Sequence, residues 1–253
     1  MPACVFSQSV GASASGGFSM SKALIEALEG AFQRARHLDV SLNDRLQTIV
    51  ESVRELSPEF AEAVDRLIAR LRDCGVGVAA PAPGDPMPPF LLPDEQGRLV
   101  ALEDLLELGP VAVAFHRGHW CPYCRLNSFA LAQALERAMA EGGQIVAITP
   151  DRTKFTAALK SETGGKFPIL TDLDNGYALS LNLVIWVGRE LQEMIAAAGA
   201  DVPTYQGNDA WMLPIPATFV VGKHGIITAR HIDPDYRKRM EIDDLLTALS
   251  EAR

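Results

Sequence analysis

Four cysteines in 253 residues are too few for a disulfide scaffold, which uses cysteine far more densely. No apolar run approaches the ~20 residues that span a bilayer. The opening MPACVFSQSVGASASGG has no basic stretch and no apolar core of ~7–15 residues, so no secretory signal is expected and a cytoplasmic address follows. Positive charge is scarce as well: 23 Lys and Arg stand against 32 Asp and Glu, a net charge of -9. That balance argues against nucleic acid, whose phosphates need a basic surface, and it weakly disfavours anionic membranes. What remains is ordinary for a folded chain, with 48% hydrophobic and 22% charged residues. The length allows one full core plus a small extra unit.

Residues 1–18 are rich in Ser, Gly and Ala and read as a flexible tail. A helical extension over 19–78 follows, in three amphipathic patterns. Leu24, Ile25, Leu28 and Phe32 share one face of the first. Leu42, Leu46, Ile49, Val50 and Val53 form the stripe of the second, with Ser41 as N-cap. The third opens on Ser57-Pro58-Glu59, a cap, a Pro at the first helical position and an acid in the first turn. Each stripe needs a cover, whether another helix, the main domain or a second subunit of a homodimer. Residues 79–89, AAPAPGDPMPP, form a Pro-rich linker.

From 90 to 253 the rhythm changes to strands alternating with helices. Strands are expected at 90–92 and 98–102 around a Gln96-Gly97 turn, then at 111–115, 144–149, 167–170, 216–222 and 226–232. Helices fall at 121–141, from about 152, near 175–182 and at 241–252. This order predicts an α/β fold whose sheet is mixed, parallel at first and closed by an antiparallel hairpin.

Chemistry concentrates in FHRGHWCPYCRLN, residues 115–127. Cys121 falls where a buried strand has ended and a helix begins, with Pro122 at the first helical position. Unpaired N–H groups and the helix dipole favour an anion there. A free thiol has a pKa near ~8.5, and bringing it close to neutrality takes roughly 2 kcal/mol. The helix end offers ~0.3–1 kcal/mol, up to ~2 in a partly buried geometry; Arg117 and His119 are the cations that could supply the rest. Cys124 lies about one turn on, more shielded and close enough for a disulfide. Cys121 is therefore assigned as nucleophile and Cys124 as resolving partner. Zinc is a lesser reading: His116, His119, Cys121 and Cys124 could all ligate, but they crowd into nine residues without a second separated pair. Inert core cysteines are the bland reading. Cys4 and Cys74 read as incidental free thiols, and neither a metal nor another cofactor is called for.

A second element is LPIPATFVV, residues 213–221, where two prolines precede a strand. Together with the cysteine motif it carries a resemblance. GDPMPPFLLPDEQGRLVALEDLLELGPVAVAF, QIVAITPD, FPILTDLDNGYALSLNL and LPIPATFVVGKHGIITARHI resemble segments of the alkyl hydroperoxide reductase / thiol-specific antioxidant family, the peroxiredoxins. The loop is similar to that of the peroxiredoxin-like subgroup reading Arg-Gly-x-Trp-Cys-Pro-Tyr-Cys, and CPYC is also the glutaredoxin motif. The resemblance covers roughly two thirds of the chain. It implies a thioredoxin-like fold, a mixed central sheet flanked by helices, with Cys121 in the peroxidatic position and Pro216 as a cis-proline facing it. Two positions depart from the family: Gly118 stands where a threonine is usual, and Pro216 where an arginine is usual. Those two side chains normally orient the peroxide, so Arg117, His119 and the backbone N–H groups over 122–124 become the candidates, with Trp120 and Pro122 supporting.

The resemblance implies a thiol peroxidase acting on hydrogen peroxide or organic hydroperoxides. Cys121 would pass through a sulfenate to a Cys121–Cys124 disulfide, reduced by thioredoxin or a similar dithiol. The alternative is a thioredoxin- or glutaredoxin-like disulfide oxidoreductase; a third reading is a redox-silent binding module. Tyr205 and Trp211, in the 188–212 insertion, read first as packing residues that could border the site. Arg189, Arg230 and the run Tyr236-Arg237-Lys238-Arg239 read as solvated surface.

Overall fold

The computed structural model describes residues 22–253, and side chains from Glu26 onward. In chain order the elements are α1 (Lys22–Ala35), α2 (Leu42–Leu56), α3 (Pro58–Asp73), β1 (Leu91–Pro93), β2 (Leu99–Ala101), α4 (Leu102–Leu108), β3 (Val111–Phe115), α5 (Pro122–Ala140), β4 (Gln144–Thr149) and α6 (Thr153–Thr163). There follow β5 (Ile169–Thr171), a 3-10 turn (Leu173–Asn175), α7 (Gly176–Ser180), β6 (Val184–Trp186), α8 (Arg189–Ala197), α9 (Val202–Gln206), β7 (Met212–Pro214), β8 (Ala217–Val221), β9 (Ile227–Ile232) and α10 (Ile242–Glu251).

Five strands form the central sheet in the order β5-β4-β3-β8-β9. β3, β4 and β5 run parallel, while β8 runs antiparallel to both β3 and β9. The mixed sheet, parallel first and closed by a hairpin, is the one expected. The alternation along β3 decides what covers each face. Val111, Val113 and Phe115 point into one core with Phe90, Leu102 and Phe219. Ala112 and Ala114 point into the other, with Leu131, Leu135 and Leu249 of α5 and α10. Small residues on that face let α5 approach the sheet closely, which fixes where its first turn stands.

A third core joins the N-terminal helices to the rest. Phe32, Leu46, Ile49, Val64, Leu67 and Ile68 pack with Cys121, Tyr123, Leu126 and Leu191. The stripes of α1–α3 are thus covered by one another and by α5 and α8 of the same chain. Ser41 caps α2 as expected, accepting from Asp44 N at 3.2 Å. Ser57 does not cap α3 with its side chain, because the same residue ends α2 and gives its own N–H to Val53 O at 2.8 Å. Leu24 and Ile25 lie outside the described side chains, and the 1–18 tail with Cys4 lies outside the described residues. Cys74, expected as an incidental free thiol, is not free; the free thiols among the described residues are Cys121 and Cys124.

The 188–212 insertion, left without structure by the sequence, holds α8 and α9. It is closed by β7, which pairs antiparallel with β6. No described helix is long and apolar enough to cross a membrane.

Candidate functional site

β3 ends at Phe115, and the loop 116–121 delivers Cys121 to the N-cap of α5, with Pro122 at the first helical position. Proline fits there because its missing N–H has no helical partner to lose. Cys124 N and Arg125 N both donate to Cys121 O at 3.0 Å. Both thiols are buried, Cys121 being 1% and Cys124 0% exposed. Of the N–H groups expected to orient a peroxide, Pro122 has none and Cys124's is already engaged.

The pair is not electrostatically symmetric. Cys124 Sγ accepts from Arg117 N at 3.3 Å and from Arg239 Nη2 at 3.4 Å. Burial opposes charge on Cys124, but a hydrogen bond from Cys121, the Arg239 guanidinium and the Arg117 N–H bring its thiol well below the usual range. Cys121 is pushed well up, first by burial and then by its bond to Cys124. Of the two sulfurs it is Cys124 that collects donors suited to a thiolate, a feature that lies outside the helix-end argument for Cys121. The helix N-terminus offers Cys121 no capping hydrogen bond.

Arg117 is 4% exposed and lies between two rings, 3.9 Å from the Tyr236 centroid and 4.9 Å from that of Trp120. His119 N donates to Asp151 Oδ2 at 2.6 Å, and its ring Nε2 meets Glu162 Oε2 at 2.8 Å. Arg125 joins Glu162 and Glu29 and stacks 4.1 Å from the Phe32 centroid, tying α1 to α5 and α6. Hydrogen bonds from His119 and Arg125, set against the cost of burial, hold Glu162 at about 2. His116, weighed as a zinc ligand, is instead a core residue. Asn127 Nδ2 donates to its Nε2 at 2.9 Å, leaving the ring proton at Nδ1 for Ser128 Oγ at 3.2 Å. Burial lowers it to about 4. Among the described residues no group of three or more His, Cys, Asp or Glu is placed to hold a metal.

Two further residues belong to the site that sequence reasoning missed. Asp151, two residues after β4, is fully buried, and burial raises it to about 7. Its Oδ1 and Trp120 Nε1 have no partner, and both stand beside Gly118, whose φ is 139°. A Cβ there would fall 2.6 Å from Asp151 Oδ1 and 2.7 Å from Trp120 Nε1. The other missed residue is Arg239. The run 236–239, read as a solvated turn, sends Tyr236 and Arg239 inward at 7% and 3% exposure, while Lys238 stays out. Arg230 is no free surface charge either; it holds Ala80 O and Pro81 O at 2.6 and 2.8 Å.

Pro216 precedes Ala217, whose partner across the ladder is Phe115, so it stands where the cysteine loop begins. The expected cis bond is absent. Ile215 N bonds Leu183 O at 2.7 Å, and the trans isomer is the one intrinsically favoured, by ≈ 0.5–1 kcal/mol.

Above the cysteines lies a cavity of about 380 Å³. Phe32, Ile49, Val53 and Phe60 of the N-terminal helices and Ile195 of α8 make its apolar wall. Arg117, His119, Trp120, Cys121, Arg125, Glu162 and Tyr205 line its other side. Cys121 reaches this space and Cys124 does not. Tyr205 therefore does border the site, 4.2 Å from the Phe155 ring, while Trp211 packs in the core.

The sequence pattern of the AhpC/TSA family matches residues 83–230. The chain belongs to the AhpC/TSA family. Two curated Mycobacterium tuberculosis proteins, from strains H37Rv and CDC 1551, carry provisional peroxiredoxin names and are 33% identical to it over 92 residues. That match covers 36% of this chain, and the chain spans 58% of the length of those relatives. Among solved structures, the peroxidoxin BcpB of M. tuberculosis superposes with a TM-score of 0.53 at 19% identity, over 68% of this chain and 99% of its own. A peroxiredoxin 6 variant of Arenicola marina gives 0.51 at 16%, over 66% and 71%. These likenesses establish the thioredoxin-type peroxiredoxin fold.

Proposed function

We propose that the protein is a thiol peroxidase whose attacking sulfur is Cys121, with organic hydroperoxides as its better substrates and hydrogen peroxide as a poorer one. The observation that carries this is the cavity: a chamber of about 380 Å³ with one apolar wall, and with Cys121 among polar residues in the other, suits a small molecule with an apolar body and a reactive head. A folded protein's disulfide has no comparable path to a sulfur that is 1% exposed. That disfavours the protein disulfide oxidoreductase reading.

The chemistry runs from the resting monoanion. Cys121 Sγ attacks the distal oxygen of the hydroperoxide as its proton passes to the Cys124 thiolate, and the O–O bond breaks. The departing alkoxide takes a proton from solvent, leaving a sulfenic acid on Cys121 and a thiol on Cys124. Cys124 Sγ then attacks Cys121 Sγ, and water leaves with the sulfenic oxygen. Overall the dithiol monoanion, one hydroperoxide and one proton give the disulfide, an alcohol and water. Arg117 and His119 face the cavity where charge develops on the leaving oxygen. Thioredoxin or a similar dithiol restores the reduced pair. A reductant as large as thioredoxin requires the wall over Cys121 to open, whereas a small dithiol needs only the cavity.

Reduced protein mixed separately with cumene hydroperoxide, hydrogen peroxide and an oxidised protein disulfide tests this by the rate of thiol loss. The expected order is cumene hydroperoxide first, hydrogen peroxide second and the protein disulfide last, with Cys121→Ser inert. Fast exchange with the protein disulfide and sluggish loss with both peroxides would sink the peroxidase reading.

A further inference from the structure

Arg239 lies between β9 and α10, far in sequence from the cysteines, and does not line the cavity that a hydroperoxide would enter. It is 3% exposed. Its Nη2 donates to Cys124 Sγ at 3.4 Å, and its Nη1 donates to Tyr236 O and Lys238 O at 2.5 and 2.6 Å. The partners of this buried cation are two carbonyls and a sulfur, not a carboxylate. A buried guanidinium without a counter-charge is costly, and a thiolate at Cys124 supplies one.

The segment that carries Arg239 is itself held by the N-terminal helices. Arg239 N donates to Asn43 Oδ1 at 3.0 Å, and Asn43 Nδ2 returns to Arg239 O at 2.8 Å. Two residues on, the Glu241 carboxylate accepts from Leu42 N at 2.9 Å and Asn43 N at 3.0 Å, at the start of α2. The beginnings of α2 and α10 thus clamp one another, with Arg239 inside the clamp.

We propose that Arg239 is the positioning residue that holds Cys124 as a thiolate, and that α2, through Asn43, holds Arg239 in place, so that the N-terminal helices set the redox potential of the pair. This rests on the dithiol part of the proposed function and not on the peroxide. In regeneration, a thiolate of the dithiol reductant attacks Cys121 Sγ and the Sγ–Sγ bond breaks. Cys124 leaves with the electron pair as a thiolate between Arg239 and the Arg117 N–H. The second thiolate of the reductant then attacks the mixed disulfide, and Cys121 departs and takes up a proton. Two electrons pass from the reductant to the pair. Stabilising the thiolate stabilises the reduced form, which makes the pair a stronger oxidant.

The other groups facing Cys124 do not replace Arg239. His116 is neutral above about 4, Asp151 is acidic, Cys121 shares its proton, and Arg117 offers this sulfur its backbone N–H.

The test is the equilibrium of the full chain with glutathione at neutral pH, with no peroxide present, for Arg239→Met, Arg239→Lys and Asn43→Ala. In Arg239→Met the balance is expected to move towards the disulfide by at least tenfold, about 30 mV. Arg239→Lys is expected to recover part of the shift, and Asn43→Ala to move the same way by less. A folded Arg239→Met within twofold of the parent overturns the proposal. Where that variant does not fold, Arg239→Lys and Asn43→Ala both within twofold overturn it. Ultraviolet absorbance gives a second readout: Cys124 in Cys121→Ser is expected to titrate below the ordinary thiol range, and titration at ~8.5 overturns the proposal. A chain that consumes no peroxide yet shows the glutathione shift would retire the peroxidase and keep Arg239; the converse would do the opposite.

Discussion

Gly118 occupies the place where the family usually carries a threonine, and the structure gives a physical reason that can be tested by Gly118→Ala. At φ 139° the backbone lies in a region open to glycine and strained for any L side chain, at ~1–3 kcal/mol. The new Cβ would also meet Asp151 Oδ1 at 2.6 Å and the Trp120 ring at 2.7 and 2.8 Å. Neither neighbour yields freely. Asp151 is fully buried and accepts the His119 N–H at 2.6 Å, and the Trp120 ring is stacked against Arg117. Overpacking of this kind adds ~1–3 kcal/mol, so the expected loss is about 2–6 kcal/mol. At ~2–4 °C per kcal/mol for a chain of this size, the midpoint of thermal unfolding falls by at least ~4 °C. Urea unfolding supplies the free energy directly, with the slope unchanged if only the native state suffers. A variant within ~0.5 kcal/mol of the parent would refute the argument and reopen position 118 to a peroxide-binding side chain.

Two pH predictions follow from the carboxylates around the loop, and they have opposite signs. Burial raises Asp151 from 3.8 to about 7, so its protonated form contributes stability fully below pH 3.8 that is lost as pH rises through about 7. Asp151→Asn is therefore expected to gain on the parent by on the order of 3 kcal/mol between about pH 5 and 8; parallel unfolding profiles would count against it. Glu162 is held down at about 2 from 4.5, so its contribution is present above pH 4.5 and lost as pH falls towards 2. Glu162→Gln is expected to cost roughly 1–3 kcal/mol at neutral pH, with the gap to the parent closing in acid; a gap that stays constant in urea titrations across that range would show that its bonds to His119 and Arg125 are not the cause.

The central sheet was legible in the sequence because its strands are short apolar runs between clear turn residues. VAVAF and QIVAIT are buried on both faces; both read as strands, and the first as a buried one. The insertion was harder, although signals existed. Leu191, Met194 and Ile195 recur at helical spacing between Gly188 and Gly199, and Asp201 caps α9 by accepting from Thr204 N at 3.2 Å. Elements this short are decided by the surface they cover, and the sequence does not name that surface.

The donors around Cys124 were illegible for a different reason. Local reasoning saw a helix N-terminus and assigned the thiolate to Cys121, because that cue lies within the motif. The group that draws charge to Cys124 comes from elsewhere: Arg239 is 115 positions away, and Asp151, the buried acid under the loop, is 32 from His119. Both are polar residues in unremarkable surroundings, an acid after a strand and a basic run before a helix, and such patterns are more often solvated than buried. Their burial follows from packing: α5 lies close on the alanine face of β3, and α1–α3 close over its first turn. The same packing builds the cavity at Cys121, so the helices that hide the thiols from proteins also shape the space that a hydroperoxide would enter. Access and charge at this site are then two consequences of one contact, and Asn43→Ala, which loosens α2 from Arg239 while leaving the wall residues in place, is the perturbation that pulls them apart.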